Sequence, residues 1–228
     1  MLEILYEDNH IIAVNKKTSD IVQADKSGDV PLSEEVKAYI KEKYNKPGEV
    51  YLGVPHRIDR PVSGVVLFAR TSKALTRLNK MFQEHDEEII KTYWAIIGNL
   101  PPEDSGILTH YLVRDSEKNK SYAYDKEKKG GKKAVLEYKL IGRSQKYYLL
   151  EIKLLTGRHH QIRCQLAKIG CPIKGDLKYG FPRSNENGGI SLHARQISFI
   201  HPVSLERITI TATPPLKDNL WKEFYQNL

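Results

Sequence analysis

The stretch HRIDRPVSGVVLFA, residues 56–69, joins a polar bend to a continuous apolar run. Its proline and glycine interrupt regular structure in the bend, whereas residues 64–69 are typical of a short buried strand. Polar residues packed into such a bend often carry function, and Asp59 is the one carboxylate among them. The alternative is that Asp59 caps a turn while Arg57 and Arg60 form surface ion pairs.

The chain before this stretch predicts a hairpin, a loop and a helix. Residues 4–6 and 11–15 have strand character and are joined through Asp8-Asn9, which suits a tight turn. Residues 18–29 are polar and predict a loop. Apolar residues then recur at i, i+4, i+7 and i+8, which predicts an amphipathic helix over residues 32–44.

The chain after the stretch predicts two further helices and a series of strands. One helix begins at Ser72 as its N-cap, and another is capped by Thr156 and ends at Gly170. The predicted strands cover residues 90–97, 107–113, 122–124, 134–141, 148–154, 191–200 and 207–212. The pattern favours a single α+β domain over residues 1–228, built on a mixed, mainly antiparallel central sheet flanked by helices.

The composition is that of a basic protein with a substantial core. The 228 residues include 36 lysines and arginines against 28 acidic residues, a net charge of +8, and the isoelectric point is near 9.2. This charge suits a polyanionic partner, although a solvated basic surface is the simpler explanation. The sequence has no secretory signal and no apolar stretch of membrane-spanning length, so neither export nor membrane insertion is expected.

Two cysteines, Cys164 and Cys171, are too few for a disulfide framework. No second pair and no His/Cys cluster has the spacing of a zinc site. We therefore expect both thiols to be reduced, the protein to be cytoplasmic, and no metal or cofactor to be bound.

A second polar cluster, TGRHHQIR at residues 156–163, opens the later helix. Arg158, His159, His160 and Arg163 lie near the helix N-terminus, which is electropositive and favours anions. Two adjacent histidines with no nearby carboxylate or cysteine make a poor metal site. The expected partner is an RNA phosphate or a carboxylate from elsewhere in the chain.

A third element, KTYWA at residues 91–95, starts a strand. Alternate residues of a strand share a face, so Lys91 and Tyr93 point the same way. Tyr93 is either an aromatic core residue or a functional one, with a ring that stacks on a base and a hydroxyl that moves a proton.

Residues 126–133 connect two predicted strands through a turn that is rich in lysine around Gly130-Gly131. Such a turn either reaches an RNA backbone or serves only to keep the protein soluble, and the sequence does not decide between these.

Taken in order, the motifs resemble the RluA family of RNA pseudouridine synthases over nearly the whole chain. HRIDRPVSG is similar to that family's catalytic loop, KTYWA to its tyrosine motif and TGRHHQIR to its arginine motif. Later segments match in the same order, namely GCPIKGD at residues 170–176, Tyr179-Gly180, LHA at residues 192–194 and His201-Pro202. The resemblance implies the pseudouridine synthase fold with a catalytic cleft.

The resemblance also implies a role for each motif in converting uridine to pseudouridine within a structured ribosomal or transfer RNA. Asp59 would be the catalytic aspartate paired with Arg163, and Tyr93 would stack on the base and help remove the proton of carbon 5. Asp59 attacks the ribose, attacks carbon 6 of uracil or removes the ribose 2′ proton, and the sequence does not choose among these. The further predicted RNA contacts are His56, Arg57, Arg60, Lys91, Arg158, His159, His160 and Gln161.

The chain departs from the family pattern in places. Relatives commonly have Asn-Lys-Pro-x-Gly where residues 15–19 are Asn-Lys-Lys-Thr-Ser, so the loop that follows is expected to differ in shape. Ile58 and Val62 replace the more usual leucine and threonine. No small RNA-binding domain is expected before the first strand, so RNA recognition would rest on the catalytic domain, acting as a monomer with no obligatory protein partner.

Two other functions fit the sequence less well. A catalytically inactive RNA-binding protein of the same fold has no use for a loop carboxylate that repels phosphate. A hydrolase that uses Asp59 with His56 or His160 would release free base or cut strands. Release of tritium from RNA labelled at uracil carbon 5 separates isomerisation from binding, because binding cannot exchange that hydrogen.

Overall fold

A computed structural model describes residues 2–25, 28–84 and 88–228. The elements in these residues are, in chain order, β1 (Ile4–Glu7), β2 (Ile11–Lys16), α1 (Leu32–Lys43), β3 (Ser63–Ala69), α2 (Ser72–Glu84), β4 (Ile89–Ile97), β5 (Ser105–Asp115), β6 (Lys120–Tyr124), β7 (Lys132–Arg143), β8 (Tyr148–Leu154), α3 (Gln161–Lys168), a short 3-10 helix (Leu177–Tyr179), β9 (Leu192–Ile200), β10 (Arg207–Thr211) and α4 (Asn219–Gln226). They fall into two compact units, one made of residues 1–89 with 194–213 and the other of residues 90–193 with 214–228. The single domain stays a prediction.

The first unit contains strands in the order β1-β2-β3-β9, with β10 paired to β9. The pairs β1–β2, β2–β3 and β9–β10 are all antiparallel. The Asp8 carboxylate accepts the backbone N–H groups of His10 at 2.7 Å and Ile11 at 2.8 Å, which closes the predicted hairpin between β1 and β2.

The continuous apolar runs of β2 and β3 lie in the core of the first unit. Residues 11–14 of β2 and 66–69 of β3 have no exposed surface, so both faces of these strands are covered. Val36 of α1 and Leu78 of α2 are equally buried, as the helical periodicity predicted.

The capping residue of α2 differs from the prediction. The backbone N–H of Ala74 donates to Oγ1 of Thr71 at 3.2 Å, so the capping hydroxyl belongs to Thr71 and not to Ser72. Threonine and serine are adjacent here and equally suited to the role, so composition could not separate them.

The second unit contains strands in the order β4-β8-β7-β5-β6, each antiparallel to its neighbours. On one face of this sheet, Trp221 and Phe224 of α4 pack with Trp94 and Leu149. On the other face, α3 packs against β5 and β7 through a cluster made of Leu112, Ala134, Cys164 and Tyr179.

Helix α4 was not covered by any prediction. Its start is fixed by Asp218, whose carboxylate accepts the N–H groups of Leu220 at 2.9 Å and Trp221 at 3.3 Å. An aspartate before apolar residues at i, i+1 and i+4 is a helix-start pattern, so the signal was present in the sequence.

The predicted cap of α3 at Thr156 is wrong. The helix begins at Gln161, and its N-cap is His160, held in the left-handed region with φ 51°. The Thr156 hydroxyl instead donates to Oε1 of Gln161 at 2.8 Å and receives the N–H of Val135 at 2.9 Å. The tertiary partner Val135 is distant in sequence, which is why local capping rules failed.

The α+β class with a mainly antiparallel sheet arrangement is confirmed. Among residues 2–25, 28–84 and 88–228, no helix combines the length and the apolar character needed to cross a membrane.

Candidate active site

The predicted catalytic loop lies in the first unit, immediately before β3. Ile58 and Val62 are 8% and 2% exposed, so both anchor the loop in the core, while Asp59 between them keeps part of its surface in solvent. The N–H of Val62 donates to the Asp59 carbonyl at 3.0 Å and closes a tight turn. The loop therefore presents the Asp59 carboxylate from an anchored turn.

Gly64 ends this loop under two constraints at once. Its φ is +118°, and a Cβ at this position would lie 2.3 Å from the carbonyl oxygen of Ala194. Only glycine satisfies both the backbone angle and the close approach of β9. The glycine of the motif is therefore a structural requirement of the first unit.

Lys16 supports the same loop, and sequence analysis did not assign it a role. This lysine is 1% exposed. Its Nζ donates to the backbone carbonyls of Lys17 at 2.8 Å and Arg60 at 3.1 Å. Burial lowers the Lys16 pKa to about 8, against the opposing influence of the Asp20 and Asp59 carboxylates. Lys16 thus places a buried positive group beside the Asp59 loop.

Ser19 completes this support from the segment that departs from the family pattern. Its N–H donates to the Arg60 carbonyl at 3.0 Å, the same oxygen that Lys16 binds. Ser19 has φ 77°, a left-handed conformation that favours glycine, and glycine is the residue that the family resemblance leads one to expect at this position.

The three basic neighbours of Asp59 have different surroundings. The Nε2 of His56 accepts the N–H of Leu67 at 2.9 Å, and its ring stacks on Phe82 at 4.5 Å between centroids. Arg60 forms an ion pair with Asp29 at 2.7 Å, with both side chains about half exposed. Arg57 is exposed.

Arg163 in the second unit is held by Asp176. The guanidinium makes two hydrogen bonds to this carboxylate, from Nε at 2.7 Å and from Nη2 at 2.9 Å. Their side chains are 6% and 1% exposed, and the Tyr179 ring lies 5.1 Å from the guanidinium carbon. Such a fork fixes both the position and the charge of the arginine. In the sequence, Asp176 is only the last residue of the GCPIKGD segment, and nothing there indicates its ion pair with Arg163.

Tyr179 also contacts His160. Its hydroxyl accepts the N–H of Ser121 at 2.8 Å, so its own hydrogen is available to Nδ1 of His160 at 3.0 Å. Burial, followed by the charge of Arg163, lowers the His160 pKa to about 2. His160 is therefore a neutral imidazole at ordinary pH.

The other members of the TGRHHQIR cluster are close together. The rings of His159 and His160 stack at 3.8 Å, and Nδ1 of His159 lies 2.9 Å from the Ser121 hydroxyl. Gln161 is 3% exposed, and its Oε1 receives the N–H of Arg158 at 2.9 Å. The structure thus brings these side chains together at the start of α3, as predicted.

Lys91 and Tyr93 occupy one face of β4. Trp94, the residue between Tyr93 and Ala95, packs on the α4 side, so alternation directs Lys91 and Tyr93 to the opposite face. Tyr93 is partly exposed. Burial lowers the pKa of Lys91 to about 8.

The predicted site residues are divided between the units. Asp59, His56, Arg57 and Arg60 belong to the first, whereas Lys91, Tyr93 and residues 158–163 belong to the second. In the part of the chain that the structure describes, no group of three or more His, Cys, Asp or Glu side chains is arranged to hold a metal ion.

Comparisons with known protein families and curated proteins all point to RNA pseudouridine synthases. The RNA pseudouridylate synthase family matches residues 10–168, a segment that contains Asp59, Tyr93 and Arg163. The chain is 34% identical to an RNA pseudouridine synthase of Synechocystis and 31% identical to tRNA pseudouridine synthase C of Pectobacterium carotovorum, over 94% and 93% of its own length. It spans only 66% and 59% of these two proteins.

Other relatives are closer in size. The chain is 32% identical to tRNA pseudouridine synthase C of Yersinia pestis, over 100% of this chain and 90% of that protein. The fold matches human RNA pseudouridylate synthase domain containing 4, with a TM-score of 0.80, 22% identity and coverage of 98% and 93% of the two chains. It also matches human domain containing 1, with a TM-score of 0.71, 20% identity and coverage of 94% and 84%. Since the family match extends over well more than half of its residues, this chain belongs to the RNA pseudouridylate synthase family, as the resemblance of its motifs to RluA enzymes predicted.

Proposed function

We propose that this protein isomerises uridine to pseudouridine in a structured RNA, with Asp59 as its catalytic carboxylate. The observation that carries the proposal is family membership over a segment that includes the Asp59 loop. The anchoring of that loop by Ile58, Val62 and Gly64 is additional support, because a catalytic group has to be held in a defined position.

The reaction breaks the bond between ribose carbon 1′ and uracil nitrogen 1 and forms one to carbon 5 of the same base. Carbon 5 loses a proton and nitrogen 1 gains one, so the product is an isomer and no electrons are exchanged. In each route open to Asp59 the carboxylate acts as an anion. The Asp59 carboxylate in turn favours the charged form of Lys16, the buried lysine beside the loop.

We assign supporting roles to Tyr93 and Arg163. Tyr93 stacks on the target base and helps to remove the proton of carbon 5 at the end of the reaction. A base that leaves its stack loses a few kcal/mol, and aromatic stacking recovers about 1–3 kcal/mol of this. Arg163 acts as a permanent positive charge for the catalytic carboxylate, and its two bonds to Asp176 keep its orientation fixed.

The remaining proposed RNA contacts fall into two groups. Arg57, Arg60 and Arg158 keep surface in solvent and bind phosphate directly through their positive charges. His56, His159, His160 and Gln161 act by shaping the loops that carry those charges, through the hydrogen bonds that they make within the protein. Lys91 is buried and supports the strand that carries Tyr93. We further propose that the protein acts as a monomer in the cytoplasm, with ribosomal or transfer RNA as its partner.

The decisive experiment measures tritium released from RNA labelled at uracil carbon 5. The substrate is total RNA from cells that lack the gene, and the variants are Asp59→Asn and Asp20→Asn. Asp20 is the matched control, because its carboxylate also acts on Lys16 but lies outside the motif. We expect Asp59→Asn to lower the rate by about 10³-fold or more. Asp20→Asn should retain most of the wild-type rate of tritium release.

Carbodiimide mapping of the same RNA then identifies the modified uridines. A normal rate for Asp59→Asn would remove Asp59 from the mechanism. An absence of tritium release by the wild-type protein on total RNA that it binds would favour a catalytically inactive RNA-binding protein.

A further inference from the structure

A row of tyrosines lies on one face of β5 and β6 in the second unit. Tyr111 of β5 stands opposite Tyr124 of β6, and Val113 stands opposite Tyr122. Cross-strand neighbours project from the same face of a sheet, so these four side chains form one patch. All four keep part of their surface in solvent.

This tyrosine patch faces away from α3. The alternate residues Leu112 and Ala123 belong to the cluster that packs around Cys164 of that helix. Successive residues of a strand point to opposite faces, so the patch occupies the outer side of the sheet. Its apolar and aromatic atoms therefore do not serve the α3 core.

The lysine-rich turn between β6 and β7 folds back onto the tyrosine patch. A Cβ at Gly131 would lie 3.3 Å from Cβ of Tyr111 and 3.6 Å from Cγ2 of Val113. The Nζ of Lys128 sits 4.0 Å from the centre of the Tyr124 ring. Cation–π contact holds the ammonium group above the sheet without neutralising it.

The surroundings of the patch are strongly basic. Residues 118–133 include seven lysines and two acidic residues, a net charge of +5. One of the two acids, Asp125, is already engaged by Lys168 at 2.9 Å. Arg158 adds a further positive charge at the start of β7, where its Nε donates to the Lys133 carbonyl at 3.0 Å.

We infer that the tyrosine patch and its lysine-rich turn bind the ribose–phosphate backbone of RNA. The inference rests on the proposed function, since it assigns this surface to the same RNA that carries the target uridine. A lysine-rich turn with an ammonium group held over an aromatic ring suits phosphates and sugars and reads no base sequence. The surface therefore contributes affinity and leaves the choice of uridine to other residues.

Charge reversal tests the inference. Binding of a fluorescein-labelled RNA stem-loop is measured by fluorescence anisotropy over a salt series, for the wild-type protein and for Lys128→Glu/Lys129→Glu. Because two ammonium groups no longer pair with phosphates in this variant, we expect binding to weaken about tenfold or more at low salt. The slope of log affinity against log salt should become shallower by about 1.5.

The matched control is Lys146→Glu/Lys222→Glu, which changes the net charge equally at two exposed positions outside the patch. It should alter binding less than about threefold, because long-range charge alone is screened by salt. Equal losses of affinity in the two double variants, or none in the turn variant, would overturn the inference. Direct binding needs no turnover, so this outcome is independent of tritium release, on which the proposed function depends.

Discussion

Two buried cations in this protein are stabilised in opposite ways. Lys16 of the first unit donates to two neutral carbonyls, and burial brings its pKa to about 8. Arg163 of the second unit has a buried carboxylate, Asp176, as its partner and stays charged at any working pH. The first unit therefore holds its loop with a titratable group, whereas the second fixes a permanent charge.

Removal of Asp176 should have the largest effect on stability. Asp176→Ala removes the carboxylate that binds both Nε and Nη2 of the buried Arg163 guanidinium, and breaking such a buried pair costs about 3–5 kcal/mol of unfolding free energy. Urea denaturation followed by circular dichroism measures the loss. Asp104→Ala is the control, since its pair with Arg143 is exposed on both sides and should contribute far less. Similar losses for both variants would contradict a special role for the buried pair.

Gly64 of the first unit and Gly180 of the second both have positive φ but differ in the space around them. Gly64→Ala in the first unit forces an L side chain into φ +118° and places its Cβ against the Ala194 backbone. The substitution should lower the unfolding free energy by about 3 kcal/mol or more. Gly180→Ala in the second unit has φ +96° but nothing within 4 Å of the new Cβ, so only about 1–2 kcal/mol is expected. Thermal unfolding of both variants checks the order, and the reverse order would refute the contact argument.

The titratable groups of the two units should act in separate pH windows. An unfolded chain keeps the Lys16 proton up to its ordinary pKa of 10.5, whereas the folded chain releases it near 8. Between these values the unfolded state binds more protons, so stability rises with pH. As the pH rises across this window, the unfolding free energy of the wild-type protein should increase by up to roughly 3 kcal/mol relative to that of Lys16→Met. Urea denaturation at each pH measures the difference.

His160 gives the corresponding behaviour in acid. Its pKa is about 2 in the folded protein against an ordinary value of 6.5, so the unfolded state binds more protons in between. The wild-type protein should therefore lose stability relative to His160→Gln as the pH falls below 6.5. The same urea series tests this, and a difference that is flat with pH would show that His160 is not held neutral.

Ser19→Gly should have the smallest effect. Glycine relieves the left-handed φ of 77° but adds freedom to the unfolded chain, so the net gain is at most about 1 kcal/mol. The N–H bond to the Arg60 carbonyl is kept. A rise of a few degrees or less in Tm is expected by calorimetry, and a fall would mean that the serine side chain stabilises the loop.

Local patterns were sufficient to predict much of this fold. The four-residue spacing of Val36 and Ile40 predicted α1, and the apolar run through Phe68 predicted β3, because both depend on periodicity alone. The Asp8 turn also follows from local chemistry.

The features that escaped prediction depend on contacts between distant parts of the chain. Thr156 is of a residue type that commonly caps helices, but its hydroxyl forms hydrogen bonds with Gln161 and Val135 instead. Lys16 is followed by Lys17 and has the sequence character of a surface residue, and only the fold buries it against the Arg60 carbonyl. Asp176 lies thirteen residues after Arg163, and no helix or strand period joins them.

The first unit is interrupted in sequence, since it needs residues 194–213 to complete what residues 1–89 begin. Gly64 is fitted against the backbone of Ala194, a residue that is synthesised much later. The contact between Gly64 and Ala194 can therefore form only after residue 194 has been synthesised.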